Sequence, residues 1–448
     1  RTASMPQNAP DVSLLNLEDE LVFRNNSIRG GTFKALVAYI CGAMKQWTAS
    51  EFEVRAFLLC FRLFSSPANF VAALFMARDA PNVAHVAQVW RSRFWCPEDD
   101  GVSKDVELLA NGPDSECDQD NDHDSSAGSD APNLNVGPTA SMRLSITTTN
   151  STISKSIPRA TPQFFLDEMT EQKYTNMSSA PIEWIQLPRQ SSVNLLLSTE
   201  SSVLAEQLTL SWFDIFAKIN AFELIDQRFS RQNNQSNGLA PNVQELVQNS
   251  NMLSAFIGDT MLSESVGANN RSDVLTKWLE IAHKMFVLGN LNGSVTITLT
   301  LSSDRIYNLI HTWSQISEES KEIYAKLRPF TLPDRNFGEY RKELRLRAKS
   351  EKPCIPFLGI VLGDLVLIDE GNPKLIELRA INFDRYLKTS KVIAGIQAFQ
   401  TRSFGLIADL PLQAALAAEM AQSHRREIDD EDEQWRRSQL IRKRESGL

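Results

Sequence analysis

Apolar residues recur at spacings of three and four along most of the chain. Phe33, Leu36, Val37, Ile40, Cys41 and Met44 form one such series, the pattern of an amphipathic helix. Ahead of it, Gly30-Gly31 reads as a turn and Thr32 as a helix cap. A second helix is expected from Glu51 to Leu63. A third begins at Ser65-Ser66-Pro67, and a fourth spans Pro81 to Arg93. Farther on, Val203, Leu204, Ala205 and Leu208 lead into Trp212, Phe213, Ile215, Phe216 and Ile219, again at helical spacings. A polar Asn/Gln loop from Ser230 to Ala240 ends at Pro241, which starts another helix. From Arg271 to Leu288, one face collects Val274, Leu275, Trp278, Ile281, Ala282 and Met285.

The most apolar stretch, Lys352 to Pro373, reads KPCIPFLGIVLGDLVLIDEGNP. Pro356 stands where a first helical turn begins, Gly371 where a helix ends in a left-handed residue, and Pro373 prevents continuation. After Lys352, Asp364 is its lone charge before Asp369 and Glu370. A helix apolar on nearly every face must be buried or dock on something. The run is far short of the ~20 residues a bilayer needs. Periodicity does not decide its conformation. Ile360-Val361-Leu362, then Gly363-Asp364, then Leu365-Val366-Leu367 also fits a β-hairpin with a two-residue turn.

Composition breaks sharply after Cys96. Residues 97–130 are dominated by Asp, Glu, Ser, Asn and Gly, with Lys104 their one Lys or Arg. Such a segment is too charged to collapse and reads as a solvated acidic linker. Its alternating Asp118, Asp120, Asp122 and Asp124 resemble a calcium loop only superficially. The sixth position from Asp118 is His123 where glycine is needed, and the twelfth is Ser129 where glutamate is needed. Residues 140–160 are rich in Ser and Thr, with no strong phosphorylation motif. The 448-residue chain is long enough for two or three domains, and its apolar content of 42% is that of a soluble globular protein.

Net charge is -9, which argues against nucleic acid as a partner, because phosphate binding needs a basic surface. The five cysteines, Cys41, Cys60, Cys96, Cys117 and Cys354, are odd in number, widely spaced and without a CxxC. That argues against a disulfide framework or a metal site, and a reducing cytoplasm fits. No signal peptide is visible. The first residue is Arg1 rather than Met, as expected of a fragment. No Ser-His-Asp arrangement, metal cluster or GxxxxGK loop is present. His85, His123, His283, His311 and His424 make no ligand pattern; His283 and His311 read as core residues. No cofactor is implied.

The order of these segments carries a resemblance. PCIPFLGIVLGDLVLIDEGNP, followed by Ile381-Asn382-Phe383 and by Ile396-Gln397-Ala398-Phe399-Gln400, resembles the signature of Ras-type guanine-nucleotide exchange factors. This is the catalytic domain of Son of Sevenless and its relatives. AEQLTLSWFDIFAKINAFELI resembles the opening of that domain. Trp278 to Ala282, Leu288-Gly289-Asn290-Leu291-Asn292, His311-Thr312-Trp313 and Leu332 to Arg341 are similar to its core segments. Glu427 to Arg444 is similar to its closing helix, with a more basic end. Ile28 to Thr32 and Phe57 to Pro67 resemble the Ras exchanger motif, an N-terminal helical module that braces the catalytic domain. The resemblance implies an all-α fold: an exchanger-motif module over 1–96, an acidic, Ser/Thr-rich disordered linker over 97–163, a connecting segment over 164–198 and an exchange domain over 199–447. Within that domain the apolar stretch becomes the first arm of a protruding helical hairpin, and Asn382 to about Gln400 the second.

The partner implied is a Ras-family small GTPase, bound best when nucleotide-free, by a cytoplasmic protein drawn to membranes through the lipidated GTPase. Family members wedge the hairpin under the nucleotide: an apolar side chain fills the Mg²⁺ region and a carboxylate takes the place of a phosphate. Here the wedge maps to Val366, where leucine is expected, and the carboxylate to Glu370, one helical turn on and on the same face. Phe357 maps to an aromatic at the hairpin root and Lys388 to a basic contact on the second arm. Phe337, Tyr307 and Phe229 map to aromatic positions facing the GTPase. Four positions depart from the family pattern. Ser302 replaces an asparagine, Gln248 an arginine and Gly363 a small polar residue, while Asp364 adds a charge near the interface. Ser302, Gln248 and Val366 motivate an alternative, a catalytically weak GTPase-binding scaffold of the same fold.

Overall fold

The computed structural model describes residues 17–111, 189–230, 239–264 and 266–445. Among them the chain is helical apart from one two-stranded ribbon, in keeping with the all-α expectation. None of the helices among the described residues is long and apolar enough to cross a membrane.

The ribbon pairs β1 (Leu21–Arg24) with β2 (Ser27–Gly31). Its turn is Asn25-Asn26, with φ of 50° and 59°, the left-handed pair that a tight hairpin turn demands. Gly30-Gly31, expected to form the turn, is instead strand. Its glycines are needed for close approach: a Cβ on Gly30 would lie 2.1 Å from the Ile381 carbonyl oxygen. Thr32 does cap α1 (Phe33–Ile40), accepting the Ala35 N–H at 3.3 Å. Ser50 and Glu53 form a reciprocal capping box on α2 (Glu51–Cys60), which tightens into a 3₁₀ turn at Phe61–Leu63. With α3 (Pro67–Met76) and α4 (Val83–Arg93) these helices enclose Phe57, Phe61, Phe70 and Trp90, all fully buried.

The module does not end at Cys96. Pro97–Val102 forms a 3₁₀ segment and Ser103–Asn111 forms α5, which packs on α4. The reason is Asp99. Its carboxylate is fully buried and is held by the Arg62 guanidinium, the Trp90 Nε1–H at 3.1 Å and the Cys96 N–H at 3.0 Å. A buried charge with three donors is a packing element, and its acidity in the sequence concealed that. The expected linker therefore does not include Pro97 to Asn111. Its remainder, including the calcium-like run at Asp118, lies outside the described residues.

Among the described residues thirteen α-helices follow: α6 (Arg189–Ser198), α7 (Ser201–Phe216), α8 (Pro241–Met261), α9 (Ala268–Leu288), α10 (Leu291–Leu301), α11 (Asp304–Tyr307), α12 (Ile310–Gln315), α13 (Glu318–Leu327), α14 (Gly338–Lys349), α15 (Leu358–Gly371), α16 (Phe383–Gln400), α17 (Leu410–Asp429) and α18 (Glu433–Glu445). Helices α7 to α10 pack around Trp212, Phe256 and Trp278, each at most 1% exposed. The closing segment breaks at Asp430 into α17 and α18, where one continuous helix was expected from Glu427 to Arg444. The break lets Arg426 from one side and Arg437 from the other reach the buried Asp259.

Candidate functional site: a braced helical hairpin

The apolar stretch is a helix, α15, and its environment explains why. Its first N–H groups are satisfied from outside. The Tyr340 phenol oxygen accepts the Phe357 N–H at 2.6 Å, and Asn292 Oδ1 accepts the Leu358 N–H at 3.0 Å. Asn292 is itself fixed where its N–H donates to the Ile355 carbonyl at 3.0 Å, while Ile355 N–H donates to Gly289 at 2.9 Å. Gly289 has a φ of 109°, and a Cβ there would stand 2.3 Å from the Pro353 carbonyl oxygen, so only glycine fits. Burial drives the Tyr340 phenol pKa well above its ordinary value and keeps it a neutral partner.

Burial then changes along the helix. Leu358, Ile360, Val361, Leu362 and Leu365 are in the core. Val366 is half-buried, Leu367 is 55% exposed and Glu370 is exposed. The first two turns are a root and the last is a projecting tip. The expected left-handed end at Gly371 does not occur: Gly371 is helical, and Asn372 caps it in an extended conformation. Arg385 on α16 supplies what the glycine would have. Its Nη1 donates to the carbonyls of Asp369 and Asn372, both at 2.6 Å, and its Nη2 to Asp369 Oδ1 at 2.7 Å. Burial raises the Asp369 carboxyl pKa, against the lowering pull of Arg385.

The second arm, α16, is capped by Asn382, whose side chain also donates to the Pro373 carbonyl at 2.8 Å. The N-terminal module holds its start. Ile381 exchanges backbone hydrogen bonds with Gly31, at 2.8 and 3.2 Å, and Arg29 pairs with Asp384 at 2.7 Å. Phe57 and Phe64 pack on Phe383 and Tyr386, with ring centroids 6.1 and 5.1 Å apart. The module therefore braces the second arm, and the second arm braces the tip of the first.

Residues 203–387, from α7 into α16, match the family model of the RasGEF domain. The chain carries a RasGEF domain. It is 29% identical over 241 residues to Ras guanine nucleotide exchange factor J of Dictyostelium discoideum, a match covering 53% of this chain and 29% of that one. It is 29% identical over 207 residues to Cell division control protein 25 of Saccharomyces cerevisiae, covering 46% and 13%. With Ras-specific guanine nucleotide-releasing factor 1 of Rattus norvegicus it shares 30% over 202 residues, covering 45% and 16%. The matches thus span less than a third of these relatives' lengths. The N-terminal module and helices α17 and α18 lie outside the matched residues.

The predicted site residues fall into three groups. Val366, Glu370 and Lys388 sit on the hairpin with outward exposure. Glu370 makes no ion pair or hydrogen bond among the described residues, whereas Lys388 bridges Asp384 and Asn372 Oδ1, both at 2.9 Å. A second group lies on neighbouring helices. Tyr307 is 53% exposed with its ring 5.9 Å from Trp313, and Phe337 is half-buried at the start of α14. Ser302 donates to the Thr298 carbonyl at 2.6 Å and meets the Tyr324 hydroxyl at 3.0 Å, and Gln248 is half-buried on α8.

The third group is internal. Phe229 and Phe357 are 3% and 2% exposed, so neither ring is on the surface. Phe229 is thereby corrected from a GTPase-facing position to a core residue, and Phe357 supports the root from within. Gly363 is half-buried, and Asp364 is taken up by Arg341. Arg341, Tyr340, Arg385 and Asp369 position the hairpin and escaped the sequence reading. The lone charge of Asp364 in an apolar stretch was the available signal, since a partly buried carboxylate requires a partner.

Proposed function

We propose that the chain is a guanine-nucleotide exchange factor for a Ras-family small GTPase, promoting GDP release and GTP loading without covalent chemistry. A GTPase holds its nucleotide through backbone N–H groups, a lysine and Mg²⁺. A protein that prefers the nucleotide-free state weakens nucleotide binding by the same factor, because coupling is reciprocal. In this reading Val366 enters the Mg²⁺ region, and Glu370 accepts the hydrogen bonds that a phosphate leaves behind. The observation that carries it is the free, exposed Glu370 carboxylate, one turn beyond Val366 on a helix anchored at its root and its tip. The family match supports the reading and lends none to a binding-only scaffold. The chain acts in the cytoplasm and meets membranes through its lipidated GTPase.

The test is release of a fluorescent GDP analogue from Ras, Rap, Ral and Rho-type GTPases, with and without the chain. Acceleration on a Ras-family member supports the proposal and names the substrate. Glu370→Ala is expected to lower the accelerated rate at least about tenfold, the loss of one interaction made during release. Unchanged exchange in that variant would falsify the carboxylate mechanism.

A further inference from the structure

Asp364 lies in the middle of the first arm, and both of its oxygens are engaged. Arg341 Nη1 donates to Oδ2 and Nη2 to Oδ1, each at 2.7 Å, a bidentate pair whose side chains are 27% and 22% exposed. The same guanidinium has a second task. Its Nε donates to the Asn336 carbonyl at 2.7 Å and its Nη2 to Asn336 Oδ1 at 3.2 Å. Asn336 is the centre of three consecutive left-handed residues, Arg335, Asn336 and Phe337, with φ of 52°, 55° and 57°. Non-glycine residues adopt that region at a steric cost, so such a run persists only where its surroundings enforce it. One side chain thus bonds both the hairpin and the strained loop that presents Phe337.

Geometry on α15 gives this link a direction. At 100° per residue, Val366 lies 200° from Asp364, and Glu370 about 240°. The anchor is on the back of the arm and the two proposed inserting residues are on its front. Asp364 is therefore turned towards α14 and away from the face that Val366 and Glu370 share.

We propose that Arg341 is a positioning residue for exchange, setting the first arm against the Phe337 loop, and that Asp364 is its internal partner rather than a GTPase contact. The proposal rests on the exchange reading above. A lysine does not substitute, because a single ammonium lacks the planar fork that serves the carboxylate and Asn336 together.

The experiment is a double-mutant cycle on GDP release by the full chain, with Arg341→Ala, Asp364→Ala and both together, separating kcat from KM. Each single variant is expected to lower kcat about tenfold with a smaller change in KM, and the double to fall no more than about twofold below the worse single. Arg341→Lys is expected to be as slow as Arg341→Ala, although it keeps the charge. Additive losses would mean that Asp364 meets the GTPase directly and would overturn the proposal, as would wild-type kcat in Arg341→Lys. Where Arg341→Ala does not fold, Arg341→Lys and Asp364→Asn make up the cycle. A wild-type chain inactive on every GTPase overturns the exchange reading and the role of Arg341 with it. An active wild type with an additive cycle overturns the positioning role alone.

Discussion

Helices α10 and α15 reverse the usual relation between composition and burial. Helix α10, LNGSVTITLTL, is rich in hydroxyls, yet almost every residue is buried. Helix α15, LGIVLGDLVLIDEG, is mostly apolar, yet it reaches solvent at Leu367, Glu370 and Gly371. The threonine hydroxyls of α10 are satisfied within the helix: Thr296, Thr298 and Thr300 donate to carbonyls four residues back at 2.8, 2.8 and 2.9 Å. With these threonine hydroxyls paired, α10 can be enclosed by α8, α9 and α13. The apolar excess of α15 has no such enclosure at Leu367. Exposed apolar surface on a helix held this firmly is what a partner-binding face requires.

The largest effect that would test this contrast is in α10. Ile297→Ala is expected to destabilise the fold by about 2–5 kcal/mol, because the residue is fully buried and its cavity cannot collapse against packed helices. Chemical unfolding measures it, and a cost under about 1 kcal/mol would show α10 to be loosely packed. Next comes Gly30→Ala, whose Cβ would meet the Ile381 carbonyl at 2.1 Å. It is expected to cost about 1–3 kcal/mol by overpacking and to lower exchange by loosening the brace on α16. Loss of stability with full exchange would separate the N-terminal module from the activity.

Leu367→Gln sharpens the comparison from the other side. At 55% exposed it should change stability by no more than about 0.5 kcal/mol while weakening capture of a nucleotide-free GTPase, read by pull-down or titration. The smallest effect is electrostatic and lies in the bracing module. The hydrogen bond from His85 holds the Glu51 carboxyl below the usual carboxylate range, with Arg55 adding to it. A depressed folded pKa contributes stability that is present above the unfolded value and lost as pH falls through the folded one. The stability difference between wild type and Glu51→Gln is therefore expected to shrink on going from about pH 6 to about pH 3, and a difference that grows would reverse the assignment.

Much of this molecule is legible in its residues because the information is local. Amphipathic spacing locates α1, α7 and α9, and Thr32, Ser66-Pro67 and Pro241 mark helix starts that the structure places within a residue or two. The ordered segments around the apolar stretch pointed to the RasGEF domain that the family match also finds. Where local chemistry misled, a distant group had intervened. Gly30-Gly31 was read as a turn because glycine usually supplies a positive φ. It is strand because Ile381, far along the chain, needs the space a Cβ would fill. Pro97 to Asn111 was read as solvated because it is acidic, and it folds because Arg62 and Trp90 receive Asp99. Gly371 was given the task of ending α15, and Arg385 performs it from the other arm.

The sequence alone, then, determined most helix positions, since periodicity and capping act over a few residues, and the order of its family-like segments pointed to the all-α class and the two hairpin arms. Tertiary structure alone decided what anchors α15, which of its faces is free, and which charges are spent internally. Those outcomes depend on Tyr340, Asn292, Arg341 and Arg385 reaching it through space. A buried donor or carboxylate takes its partner from whatever the fold brings within about 3 Å, and no pattern within the apolar stretch itself encodes that.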